Sequence, residues 1–271
     1  VPAGGTSENG PADATKLSVL QRKFKGPALI HAFRQEAIPT WKLHAHQLLT
    51  HDADQIAGIV ESLITDSVHK SLQSKAHGHD RAMAGVNRYL EEDSKSRWTT
   101  TFGPMYSKAS TRAGAVIGAE MDINFNLIHS NLLKFARQNT GAMITDITET
   151  TRTKVNEIIR LGLEEGKTAT EIAQMIREDT AFSQVRSQLI ARTETTKAFN
   201  GAPTDSLKEY GAASGRVFTK TWSGVLDDRE RDEHVEMEGE TVGIDDVFSN
   251  GEDYPGEPNC RCTVIFNEEE A

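Results

Sequence analysis

The chain has 271 residues, 37% apolar side chains and a formal net charge of −10, a length and composition that suit two units or one elongated, surface-rich unit and exclude a wholly disordered polymer. The charge is local: residues 227–271 carry 16 Asp and Glu against 3 Lys and Arg, while residues 1–226 carry 24 against 27, so only the C-terminal part argues against phosphate binding. No run of about 18 apolar residues and no basic segment followed by an apolar core occurs, so neither a helical membrane span nor a secretory signal is expected, and no membrane partner.

Residues 1–15, rich in Gly and Pro, read as a flexible lead, and 16–140 as a helical arm. Leu17, Leu20 and Phe24, then Leu29, Ile30 and Phe33 after a Gly26-Pro27 break, form one apolar stripe, continued by Ile56, Ile59, Val60, Leu63, Ile64, Val68 and Leu72 on a longer helix with Asp52 or Asp54 as its cap. A turn is expected at 76–80 (Ala-His-Gly-His-Asp) and another between Glu91 and Thr101. From Pro104 to Ile123 a helix with an Ala/Gly-rich face suits close approach to a neighbouring helix or subunit. Leu127 to Phe135 follows, then a helix carrying Ile144, Ile147, Val155, Ile158, Ile159 and Leu163 and ended at Gly166. The capping box Thr168-x-x-Glu171 starts another. A helix from Ser183 to Ala212, ended by Tyr210-Gly211, leads into strands at 217–222 and 263–266 separated by a loop-rich stretch. The fold class is therefore α+β: an extended, mainly helical N-terminal part and a small C-terminal α+β module with short strands.

The module holds the uncommon residues. Cys260-x-Cys262 and His234 are the donor types of tetrahedral zinc, but the set is incomplete and needs Asp228, Asp232 or a water as fourth ligand. The alternative is two thiols packed under the last strand with His234 bonded to an acidic neighbour. A bridge between the two cysteines is disfavoured because side chains two apart rarely reach disulfide geometry. Arg192 and Glu194 point to different faces of their helix, which favours a structural role with Arg192 bridging to Asp227-Asp228. The enzymatic alternative has Arg192 holding a phosphate and Glu194, Glu236 or Glu238 as catalytic carboxylate. His44, His46, His51, His77 and His79 are unsuitably spaced to share a metal. A phosphate-binding loop, a dinucleotide fingerprint and a nucleophile elbow are missing.

The ordered set Ile190-Ala191-Arg192-Thr193-Glu194, Tyr210-Gly211, Lys220-x-Trp222, Asp228, Arg231, His234, Gly239-x-x-Val242, Phe248, Tyr254-Pro255-Gly256 and Asn259-Cys260-Arg261-Cys262 resembles the phage Mu F-like minor head protein family, over a domain placed at 141–267 ahead of an acidic tail at 268–271. The resemblance implies a tailed-phage minor head protein acting in head assembly and in DNA packaging or delivery, with the portal protein and inner capsid as partners and packaged DNA as a weak one. It implies a place in the virion or procapsid interior, reached through the host cytoplasm. It implies no catalytic residues and no cofactor, although head proteins of this class also occur joined to toxin domains, which keeps a transferase or nuclease as an alternative beside a DNA-binding ejection factor. Arg192, Glu194, Trp222, Asp228, Arg231, His234, Asn259 and Arg261 are then expected to form a structural network, with zinc at His234, Cys260 and Cys262 as the one metal candidate.

Overall fold

The structure, a computed structural model, describes residues 27–64 and 72–269. The elements in chain order are α1 (Pro27–Leu63), α2 (Leu72–Tyr89), a π-helical turn at Leu90–Ser94, α3 (Lys95–Glu120), α4 (Phe125–Glu164), α5 (Ala169–Glu178), a 3-10 turn at Thr180–Phe182, α6 (Gln184–Ser214), β1 (Phe218–Ser223), α7 (Asp232–Glu236), β2 (Thr241–Gly243) and β3 (Thr263–Glu268). The α+β reading holds: a helical bundle is followed by one small antiparallel sheet in the order β2-β1-β3. Lys220 pairs with Val242 on one side and Phe266 on the other. The stripe positions Leu17, Leu20, Phe24 and Val68 and the 1–15 lead lie outside the described residues.

One apolar core runs from Leu29 and Phe33 of α1 through Trp98, Phe102, Phe135 and Phe199 to Phe218, Val264 and Phe266 of the sheet. Helix α1 packs along α5 and α6 and reaches β3. The Ala/Gly face of α3 is used against a neighbouring helix: a Cβ at Gly114 would stand 2.2 Å from Leu132 Cδ1 of α4, closer than any side chain can approach without repacking. A second, smaller core of Trp222, Met237, Phe248, Cys260 and Cys262 lies under the loops between β1 and β3.

Several boundaries differ from the sequence reading, each for a physical reason. Residues 76–80 continue α2 without a turn, because Gly78 and Ala82 are buried on the packed face and tertiary packing outweighs a weak local breaker. The stretch from Glu91 forms the π turn and then α3, so Pro104 lies inside a helix rather than at its start. Leu127–Phe135 and the Ile144–Leu163 stripe are one 40-residue helix. Helix α6 passes Gly211 and ends at Gly215, whose φ of 74° supplies the left-handed cap. Strand β2 was not anticipated, and β3 extends to Glu268, the first residue of the expected acidic tail. The Thr168–Glu171 capping box forms as read, and Gly166, at φ 74°, follows the end of α4.

Asp52 is not a helix cap. It sits within α1, 2% exposed, and accepts hydrogen bonds from Tyr89 Oη at 2.6 Å, Ser94 Oγ at 3.0 Å and Trp98 Nε1 at 3.0 Å. One carboxylate thus joins α1 to α2, the π turn and α3, with its lone pairs satisfied as burial of an anion requires.

Candidate functional site

Two features meet where α1 and α6 face the loops before β3: a basic cleft and a buried sulfur–imidazole cluster. The segment Asn259–Cys262 is fixed by its backbone. Thr196 Oγ1 donates to the Cys260 carbonyl at 2.9 Å, and Asn200 Nδ2 donates to the carbonyls of Cys262 and Pro255, each at 3.1 Å. From α1, Arg34 donates to the carbonyls of Cys262 at 3.1 Å and Arg261 at 2.5 Å. Asn259 takes the left-handed conformation at φ 61°, which Asn tolerates better than most residues, and its N–H donates to Thr193 Oγ1 at 3.2 Å. Helix α6 therefore presents a ladder of Thr193, Thr196 and Asn200, one turn apart, to a chain that has no regular partner of its own.

Arg34 is 2% exposed and touches no carboxylate among the described residues. Burial lowers its pKa to about 10, partly offset by the nearby Cys260 and Cys262 sulfurs, so it remains charged at neutral pH. A cation on the apolar face of α1, in Leu29-Ile30-x-x-Phe33-Arg34, was the sequence signal for this contact.

The sulfur–imidazole cluster brings His234 Nδ1 to 3.5 Å from Cys262 Sγ and 3.8 Å from Cys260 Sγ, all three side chains buried. Trp222 packs edge-on against the imidazole at 5.0 Å and against Phe248 at 5.2 Å. Cys262 Sγ donates to Glu230 Oε1 at 2.8 Å. The proximity of the two thiols eases ionisation of Cys260 and pushes Cys262 up. Asp228, on the loop, and Asp232, at the start of α7, are exposed; the carboxylate that meets Cys262 is Glu230.

The residues expected to form a network have these places in the fold. Arg261 makes a two-pronged contact with Asp227 at 2.5 and 2.6 Å, which holds the Asp227 carboxyl well below the usual range. Arg231 reaches Glu257 at 2.7 Å and the Pro258 carbonyl at 2.6 Å. Arg192 does not bridge to Asp227-Asp228: Arg261 has taken Asp227, and Arg192 is exposed with no side-chain partner among the described residues. Asp228 is likewise outside the network. Glu194 is 6% exposed and accepts from Tyr106 Oη at 2.9 Å and Lys197 Nζ at 3.1 Å; burial raises its pKa. Lys220, unassigned from sequence, is buried on β1 with its ammonium on Asp253, which Lys208 also contacts at 2.6 Å.

The cleft, about 770 Å³, is walled by Arg34, Lys42, Arg192, Arg229 and Arg261, with Asp227 as its one carboxylate. Glu194, Glu236 and Glu238 do not line it, so the carboxylates named for catalysis do not share it with Arg192. The metal-type groupings among the described residues are the His234 cluster and an adjoining Glu233, His234 and Glu257; the five N-terminal histidines form none.

Residues 153–265 match the family described as phage Mu protein F like protein. Over 162 residues, 54% of this chain, it is 25% identical to minor head protein GP7 of Bacillus phage SPP1, covering 52% of that protein. Over 120 residues, 41% of this chain, it is 34% identical to the NAD(+)–arginine ADP-ribosyltransferase EFV of Enterococcus faecalis, covering 24% of that protein. The chain thus spans about half and about a quarter of the lengths of these curated relatives. No solved structure matches it. The family match thus lies in the C-terminal part of this chain.

Proposed function

We propose, from that family match and the likeness to a phage minor head protein, that this chain is a minor head component that docks on the portal at the inner face of the capsid and serves head assembly and DNA packaging or delivery without catalysing a reaction. The observation that carries this reading is the likeness to a phage minor head protein across more than half of the chain. The site agrees with a binding role. Arg34, Thr196 and Asn200 are spent on backbone carbonyls and Arg261 on Asp227, and no carboxylate named for catalysis faces the cleft. The purified chain is expected to co-sediment with the portal oligomer of its own phage; absence of co-sedimentation together with absence from purified heads would end the proposal.

The basic cleft favours a second, compatible role in touching the phosphate backbone of packaged DNA. Arg192 and Lys42 border it, and cations that neutralise phosphates give binding that weakens steeply with salt. Duplex DNA should bind weakly at low salt, and Arg192→Glu should reduce that binding about tenfold. A transferase role is tested by incubating the chain with NAD and an arginine-rich acceptor, where no consumption is expected.

A further inference from the structure

We propose that His234 Nδ1, Cys260 Sγ, Cys262 Sγ and a carboxylate oxygen of Glu230 form a tetrahedral zinc site that holds the C-terminal loops together. Zinc–sulfur bonds of about 2.3 Å and zinc–nitrogen bonds of about 2.0–2.1 Å meeting at tetrahedral angles put sulfur and nitrogen about 3.6 Å apart. The two observed separations, 3.5 and 3.8 Å, bracket that edge, and the three donor atoms all lie within 4.8 Å of one another. Glu230 Oε1 is 2.8 Å from Cys262 Sγ, at hydrogen-bond range from a thiol, and lies outside the grouping of the other three donors; once the thiol proton is displaced by the metal, its side chain has to swing toward the ion to complete the tetrahedron.

The surroundings fit a metal better than three packed side chains. With Nδ1 on the ion, the imidazole proton resides on Nε2, which is buried and has no hydrogen-bond partner yet lies 3.4 Å from Glu257 Oε2. That is the carboxylate–histidine arrangement that orients zinc-binding imidazoles. The carbonyls of both cysteines are pinned by Thr196, Asn200 and Arg34, which pre-positions the sulfurs. Two thiolates and Glu230 around a divalent ion leave one net negative charge, and Arg34, buried without a carboxylate, supplies the matching positive one. The small core of Trp222, Met237, Phe248, Cys260 and Cys262 is what a loop-rich segment needs a metal to reinforce.

The test uses the full chain purified under reducing conditions from zinc-supplemented cells. Elemental analysis should find one zinc per chain, and a thiol-directed mercurial should release it as the two thiols are blocked. Cobalt in its place should give a thiolate-to-cobalt charge-transfer band with the intense visible bands of a four-coordinate ion. Cys260→Ser and His234→Gln should each weaken zinc binding by more than about 100-fold, since even outer partners of such ligands cost 10–100-fold. Because those variants can misfold, the wild-type measurement decides. Absence of stoichiometric zinc with freely reactive thiols overturns the site. So does a cobalt spectrum without the thiolate band, as binding at Glu233, His234 and Glu257 would give. Unchanged zinc affinity in Glu230→Gln overturns the assignment of the fourth ligand.

Discussion

The helical bundle and the loops that follow β1 bury polar groups by opposite means. In the bundle one carboxylate, Asp52, gathers three donors from three elements and lies within a continuous apolar core. Between β1 and β3 the apolar core is small, and order comes from side chains of α1 and α6 that capture backbone carbonyls. The bundle is stable through area; the loops are stable through satisfied polar groups and through what they borrow from the helices.

The sharpest way to break this contrast is Asp52→Ala, which orphans three buried donors and should cost about 3–5 kcal/mol of unfolding free energy in urea. A loss confined to a few tenths would show that the node is dispensable. Asn200→Ala removes donors to Pro255 and Cys262 and the acceptor for Thr263 Oγ1; about 2–3 kcal/mol is expected. Here proteolysis should open the 224–262 loops before the bundle, whereas simultaneous cleavage everywhere would erase the distinction between the regions. Gly114→Ala should cost about 1–2 kcal/mol, because the steric push on buried Leu132 exceeds the gain in helix propensity; a more stable variant would mean that α3 and α4 can slide apart.

The smallest effect is pH-dependent. Burial, with help from the Glu257 carboxylate, pushes Glu252 up to about 7. The folded state therefore keeps this proton in the window from the ordinary glutamate range up to about 7, where the unfolded chain has lost it, and stability falls as pH rises through that window. Glu252→Gln should be neutral at low pH and more stable than the parent above about pH 7, by about 1 kcal/mol after allowing for its partial exposure. Parallel pH profiles for the two proteins would contradict the shift.

The difference between regions also explains what was legible in the sequence. Helix positions in the bundle follow from apolar periodicity and from caps such as Thr168 and Glu171, since those signals are local. Continuity was not legible: Pro104 and the 76–80 stretch read as breaks, because packing that overrides a breaker is written in distant residues. In the loops, the residue set Trp222, His234, Asn259, Cys260 and Cys262 was visible as a cluster of rare choices. Its wiring was not. Arg261 rather than Arg192 holds Asp227, Glu230 rather than Asp228 or Asp232 meets Cys262, and Arg34 arrives from more than two hundred residues earlier. Side-chain pairings at such separation leave no spacing rule to read.

Quantitative protein analysis of heads assembled with and without the portal gene tests the central claim, assembly on the portal, most directly. The account predicts this chain at a few copies per head when the portal is present and its loss when the portal is absent. Equal amounts in both kinds of head, or none in either, would contradict it.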